Sequence, residues 1–258
     1  AFAISECPLV QPTALIQGRF GMQKSPGWSL HQLSIDLAAF MRRYVITIAL
    51  ALVAIGILYY RGRSLLHPIK VRILGARTVE QVTSLAAHRM IKEFPDLAAL
   101  ADGRELAILA FKEERHLELW KQYEHGWHMV RRYLFTGFSG MLGPKLYEGD
   151  LQIPEGLYRI ELLNPNSSYH LSMKINYPNA YDREKAEKEQ RTNLGGDIFI
   201  HGKSVTTGCI PIGDTAIEEL FCLVSQNGLH HTRVIIAPYD MRKGYRHTVR
   251  RSVPWQDE

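Results

Sequence analysis

The sequence predicts an α+β chain: a single N-terminal transmembrane helix, then a catalytic domain built mainly of β-sheet or sandwich. Three observations predict it. The run YVITIALALVAIGILYY, Tyr44 to Tyr60, is uncharged and bracketed by Arg42, Arg43, Arg61 and Arg63. From Leu106 onward, apolar residues recur at every second position in short segments separated by turn residues, the period of strands with one buried face. Only a few segments after the anchor carry helical spacing. The chain has 258 residues, 46% hydrophobic and 22% charged, an ordinary globular composition that suits one medium domain with appendages.

Residues 1–40 show no sustained periodicity, and Met41 stands before Arg42-Arg43 as a start would before a basic n-region; they are expected to be an over-extended start or a disordered tail. Residues 41–63 form the anchor. Its seventeen-residue apolar run spans ~26 Å as a helix, just under the hydrocarbon core of a bilayer, and tyrosines at both ends suit the interfaces. The only A-x-A, Ala49-Leu50-Ala51, leaves too short an apolar stretch before it for a cleaved signal peptide. Residues 64–104 read as a helical linker. Thr78 and Gln81 form a capping box, and Val79, Val82, Leu85, Ala86 and Phe94 recur at helical spacing up to Pro95, as a stalk or as a helix packed on the main domain.

The catalytic domain is expected over residues 105–240. LAILAFKEERHLELWKQ reads as two strands around the charged turn Lys112 to Arg115, and WHMVRRYLF as a third. GFSGMLGPKLYEGD is glycine-rich loop. IPEGLYRIELL and YHLSMKINY are strands separated by the turn-rich NPNSS. In the second, Tyr169, Leu171, Met173 and Ile175 share one face, and His170, Ser172 and Lys174 the other. DREKAEKEQR is a solvated loop or short helix. After the segment IFIHGKSVTTGCIPIGD comes a helix capped by Thr215 and Glu218 with an Ile217, Leu220, Phe221, Val224 stripe, and then the strand TRVIIAPYD. Residues 241–258 are a basic, aperiodic tail.

Net charge is +5 and the pI near 9.1, a mild excess that fits an anionic wall or lipid surface and falls far short of a nucleic-acid-binding signature. The arginines and lysines after the anchor outnumber those just before it, a bias that taken alone keeps the following domain in the cytoplasm. Cys7, Cys209 and Cys222 form no CxxC pair, so no disulfide framework is expected. Cys222 reads as structural. Asn166-Ser167-Ser168 matches a glycosylation triplet, one that is common by chance.

In GGDIFIHGKSVTTGC, His201 ends an alternating strand and Cys209 follows eight positions later. Gly202 frees the backbone to turn after the imidazole, and Gly208 permits close approach before the thiol. A free thiol is mostly protonated at neutral pH; an adjacent imidazole removes the proton and makes a nucleophile for carbonyl carbon. The Gly208 and Cys209 amides, if aimed together, would stabilise the resulting oxyanion. Spacing alone leaves open a hydrogen-bonded structural histidine beside a buried small cysteine. A zinc site needs more ligands than these two, and His230 and His231, adjacent on an expected strand edge, diverge. No metal or organic cofactor is expected.

IHG followed by T-x-G-C-I resembles the signature of the L,D-transpeptidase catalytic domain family (the YkuD type). SGMLGPK, EGDLQIPEGLYRI, LNPNSSYHLS, NYPNAYD, the IHG…GC core and IEELFCLV also occur in this order in one subgroup, a resemblance covering about Leu106 to Asp240. It implies that Cys209 is the nucleophile and His201 the base, with a backbone carbonyl, sought at Gly202, orienting the imidazole. Tyr169, His170 and Thr207 are its candidates for substrate contact. Thr207 and Pro211 depart from the usual residues, and the His-to-Cys interval is short. The subgroup sharing that interval resembles enzymes that hydrolyse a link between a protein and peptidoglycan. The resemblance thus implies a cysteine-dependent transpeptidase acting on diaminopimelate-containing stem peptides, with a hydrolase on the same residues, acting on a wall-linked lipoprotein, and a non-catalytic wall-binding module as alternatives. It also implies a domain outside the bacterial cytoplasmic membrane, facing periplasm and wall, against the arginine bias.

Overall fold

The computed structural model describes residues 30–93, 95, 102–244 and 253. Cys7 and most of the basic tail lie outside the described residues. Helix α1 runs Leu30–Leu74, so the helix begins within the stretch expected to be aperiodic. Its window Phe40–Ile57, with a mean hydropathy of 1.8, is long and apolar enough to cross a membrane. Leu50, Leu52 and Ile55 stand exposed there, as a lipid-facing surface requires. The chain divides into two compact units, Ala1–Tyr60 and Arg61–Glu258.

In the second unit, α2 (Val79–Glu93) opens with the expected capping box. The Thr78 amide donates to Gln81 Oε1 at 2.9 Å and the Gln81 amide to Thr78 Oγ1 at 3.2 Å. Val82, Ala86 and Met90 are buried in the domain core, which decides between stalk and packed helix in favour of packing.

Eight strands follow: β1 (Leu106–Phe111), β2 (His116–Tyr123), β3 (Gly126–Leu134), β4 (Gly156–Ser167), β5 (His170–Ile175), β6 (Phe199–His201), β7 (Ile210–Pro211) and β8 (Thr232–Ala237). They form one mixed sheet in the order β3-β2-β1-β8-β4-β5-β6-β7. β8 pairs parallel with β1 and antiparallel with β4, so the strand formed last along the chain sits in the middle. β6 and β7 pair parallel at the edge, Ile200 opposite Ile210 and His201 opposite Pro211.

The NPNSS segment is less of a turn than its composition suggests, because β4 continues through it to Ser167. Asn166 is docked rather than displayed. Its side chain accepts from the Arg77 amide at 2.8 Å and donates to the Arg77 carbonyl at 2.8 Å, so the glycosylation triplet is engaged in a backbone-like pairing. DREKAEKEQR contributes to helix α3 (Ala180–Lys188), whose capping box is formed by Asn179 and Asp182.

Helix α4 spans Asp214–Asn227. Its expected Thr215–Glu218 capping box is corrected by the structure: the helix starts two residues earlier, behind Gly213, with no side-chain cap. Glu218 instead turns to His170 and Arg89. The predicted stripe Ile217, Leu220, Phe221 and Val224 is fully buried against the face of β5 that carries Leu171, Met173 and Ile175. Each such side chain contributes about 1.5–3 kcal/mol by leaving water. Cys222, off that stripe, is buried too, because α2 covers it: Sγ lies 3.6 Å from the Thr83 carbonyl. Burial pushes its pKa up to about 11, which suits a structural thiol.

Candidate active site

The segment from Gly195 to Gly213 brings the site together at the β6–β7 edge. Ile198 and Ile200 are buried, and His201, at the end of β6, is 1% exposed. The His201 Nδ1 lies 2.5 Å from the Gly202 carbonyl. A carbonyl only accepts, so Nδ1 carries the proton and Nε2 keeps its lone pair. This is the carbonyl partner sought at Gly202. Burial lowers the His201 pKa below its ordinary 6.5, opposed in part by that hydrogen bond.

Gly202 is a glycine for a reason other than turning. Its φ lies outside the left-handed region, but a Cβ would come 2.6 Å from both the Tyr169 carbonyl and Asp214 Oδ1. Space, not backbone freedom, excludes a side chain there. Gly208 does need its conformation, with φ +127; the close neighbour is the Gln152 carbonyl, 3.0 Å from where a Cβ would sit.

The Cys209 Sγ lies 3.4 Å from the Phe199 amide, which donates to it, and 3.7 Å from the Asp197 carbonyl. Phe199 and His201 are two positions apart on one strand, about 7 Å of rise. Among the described residues no hydrogen bond joins the imidazole and the thiol, and such bonds are commonly long until substrate is bound. Burial raises the thiol pKa above its ordinary 9.0, while the Phe199 amide and then the Lys145 charge pull it down and Asp197 pushes it up. Both shifts favour the uncharged form, neutral imidazole and neutral thiol.

The Gly208 and Cys209 amides do converge, but on a protein oxygen. Both donate to Thr206 Oγ1, at 3.3 and 2.9 Å, and that hydroxyl donates to the Cys209 carbonyl at 2.7 Å. The expected oxyanion donors are thus engaged by Thr206, a residue the sequence reading passed over. A threonine two positions before the glycine of a Gly-Cys pair is the available signal, since Ser and Thr hydroxyls capture nearby backbone amides in turns.

The glycine-rich loop, residues 137–155, braces this segment from outside. Thr136 Oγ1 donates to the Lys203 carbonyl at 2.5 Å and the Thr136 amide to the Pro211 carbonyl at 2.9 Å. Inside the loop, buried Lys145 bonds Asp150 Oδ1 at 2.8 Å, and Asp150 in turn accepts from the Leu146, Tyr147 and Gln152 amides. Lys112, fully buried, joins the loop to β1 through the Gly143 and Ile153 carbonyls and Glu155.

The remaining candidates fall out unequally. Tyr169 is 42% exposed and its ring lies over His201, centroids 4.6 Å apart. The alternation that would have buried it stops at His170, whose φ of +77 breaks the strand. His170 turns inward, Nε2 2.5 Å from Glu218 Oε1, and so supports the site from behind. Thr207 is exposed beside the thiol. His230 and His231 lie in a 3-10 turn before β8 rather than on a strand edge. Among the described residues, no group of three or more His, Cys, Asp or Glu is placed to hold a metal ion.

The family model for the L,D-transpeptidase catalytic domain (YkuD) matches residues 106–236. This chain belongs to that family. It is 34% identical over 144 residues to the candidate L,D-transpeptidase YafK of Escherichia coli (strain K12), a match covering 54% of this chain and 56% of YafK. The chain thus spans about half the length of the curated relatives it matches. Among solved structures it is similar to the helical cell shape determining protein Pgp2 from Campylobacter jejuni, with 24% identity, a TM-score of 0.45 and coverage of 54% and 49% of the two chains. It is also similar to L,D-transpeptidase 1 of Mycobacterium tuberculosis, with 12% identity, a TM-score of 0.31 and coverage of 52% and 62%.

Proposed function

We propose that this L,D-transpeptidase-family domain is a cysteine-dependent acyl-transfer enzyme acting on peptidoglycan stem peptides, anchored by its N-terminal helix and facing the periplasm and wall. The observation that carries it is the contact from His201 Nδ1 to the Gly202 carbonyl, 2.5 Å, which leaves the Nε2 lone pair available on a three-residue strand whose other end binds the Cys209 sulfur through the Phe199 amide. In this reading Nε2 takes the thiol proton and the thiolate attacks an amide carbonyl carbon at diaminopimelate. The imidazolium returns its proton to the departing amine, leaving a thioester. An incoming amine then displaces the cysteine and forms a new crosslink; water in its place gives hydrolysis. Neither route calls for a metal or organic cofactor.

The test is incubation of the full chain, in detergent, with isolated sacculi and mass spectrometry of the products. New crosslinks, absent with Cys209→Ala and His201→Ala, are expected. Released peptides or wall-linked protein would make the chain a hydrolase, and unchanged sacculi would make it a wall-binding module. A carbapenem should add its mass to the protein and not to Cys209→Ala; an equal shift in both would remove the acyl-enzyme.

A further inference from the structure

The outer end of α1 carries an apolar face that the described part of the second unit leaves bare. Leu66, Ile69 and Ile73 are spaced to fall on one side of the helix. They are 53 to 75% exposed, and Leu74 beside them is 72% exposed. His67 and Val71 fall on a different side and are half-buried. The His67 Nε2 donates to the Asn166 carbonyl at 2.6 Å. Arg77 donates to the Pro165 carbonyl and, at 3.1 Å, to the His170 carbonyl. One side of the segment is thus fixed to the β4–β5 turn that carries Tyr169, and the other faces outward.

Charge along this stretch has one sign. No aspartate or glutamate stands between Asp36 and Glu80, while Arg61, Arg63, Lys70, Arg72 and Arg77 follow the span. Lys70, Arg72 and Arg77 are exposed. Aliphatic side chains among uncompensated cations match the boundary of an anionic bilayer, where acyl chains take the former and phosphates the latter. An acidic aqueous partner would satisfy the cations and leave the aliphatic groups in water. The same helix carries the span Phe40–Ile57, so a bilayer is the surface already within reach. Resting on the anchored reading above, we propose that residues 66–77 are a second membrane contact, an interfacial face that lies on anionic phospholipid headgroups. The contact sets the height above the lipid at which His201 and Cys209 meet the wall.

A helix running straight on from the span would miss the lipid. Ile73 lies sixteen residues beyond Ile57, ~24 Å of rise, while headgroups add only about 5–8 Å to each side of the hydrocarbon core. The contact therefore needs a bend, and the backbone is weakest where the bend is needed. Pro68 lies inside the helix and cannot donate to the Ser64 carbonyl, and Gly62 stands less than two turns earlier.

The full chain is reconstituted in vesicles of phosphatidylcholine alone and in vesicles that also contain phosphatidylglycerol, with bromines on the acyl chains as quenchers. A tryptophan is introduced by Ile69→Trp or, as a control, by Leu134→Trp at the exposed end of β3. With phosphatidylglycerol present, the indole at 69 should be quenched about threefold more than the one at 134. Phosphatidylcholine alone, or Lys70→Gln with Arg72→Gln, should remove most of that difference, and Cys209→Ala should leave it unchanged. Equal quenching at the two positions, or equal quenching at 69 in the two kinds of vesicle, would overturn the contact. Carbonate extraction reads the anchor separately. A chain retained in carbonate without quenching at 69 would keep the anchor and lose the contact; a chain released by carbonate after quenching at 69 would do the reverse.

Discussion

Among the described residues, the side-chain hydrogen bonds of His201 and Cys209 go to backbone, and burial chiefly sets how the two groups respond to pH. The imidazole must be neutral to accept a proton, and its pKa is lowered by burial. The acid limb of a kcat/KM profile should therefore have its midpoint below 6.5; a midpoint at or above 6.5 would mean that burial does not control the base. On the alkaline side the thiol pKa is raised, so thiolate alkylation in His201→Ala should rise only above the ordinary thiol range. Under the proposed acyl-transfer reading, Thr206 acts as a positioning residue for Cys209, through three bonds to the Gly208 and Cys209 backbone. Thr206→Val, which keeps the shape and removes the hydroxyl, should lower kcat about tenfold or more, given that a displacement near 1 Å costs about a hundredfold, with little change in KM. Thr206→Ser should restore it. Higher activity in Thr206→Val would show instead that the hydroxyl obstructs two amides the oxyanion needs.

The elements show which parts of the fold a sequence carries in itself. Short apolar segments between turn residues marked β1, β2, β3, β5 and β8, although of these only β8 alternates regularly in burial and β1 is buried on both faces; the Thr78–Gln81 cap was legible because its two partners are three residues apart. The contact of His201 with the Gly202 carbonyl was legible because the two residues are neighbours in the chain. The failures lie where a distant contact outcompetes a local one. Thr215 and Glu218 have capping spacing, yet Glu218 is captured by His170 and Arg89 from other elements. Tyr169 continues the apolar alternation, yet the turn at His170 lifts it onto His201. Residues 137–150 read only as glycine-rich loop and 153–163 as strand, and nothing local announced that Lys112 would reach the Gly143 and Ile153 carbonyls. Lys112→Met leaves two carbonyls and the Glu155 carboxylate without their buried ammonium. Breaking a buried ion pair from one side costs about 3–5 kcal/mol, so a fall in Tm and a loss of turnover should appear together. A stable Lys112→Met with full activity would show that the loop holds its place without it.

At the scale of the whole molecule, the arginine bias after the anchor and the wall-facing reading disagree about where the second unit resides. The bias is statistical, whereas a peptidoglycan substrate is confined to one side of the cytoplasmic membrane. A C-terminal alkaline phosphatase fusion should be active, and a cytoplasmic signal would remove the substrate along with the location. The sheet order adds a temporal constraint. Because β8 lies between β1 and β4, the ribosome must release both flanking halves before the strand that joins them exists. Until then each half carries an open ladder ready to pair with a stranger. A nascent chain arrested at residue 231 should be protease-sensitive throughout both halves, and protection should appear only once residues 232–237 have been made.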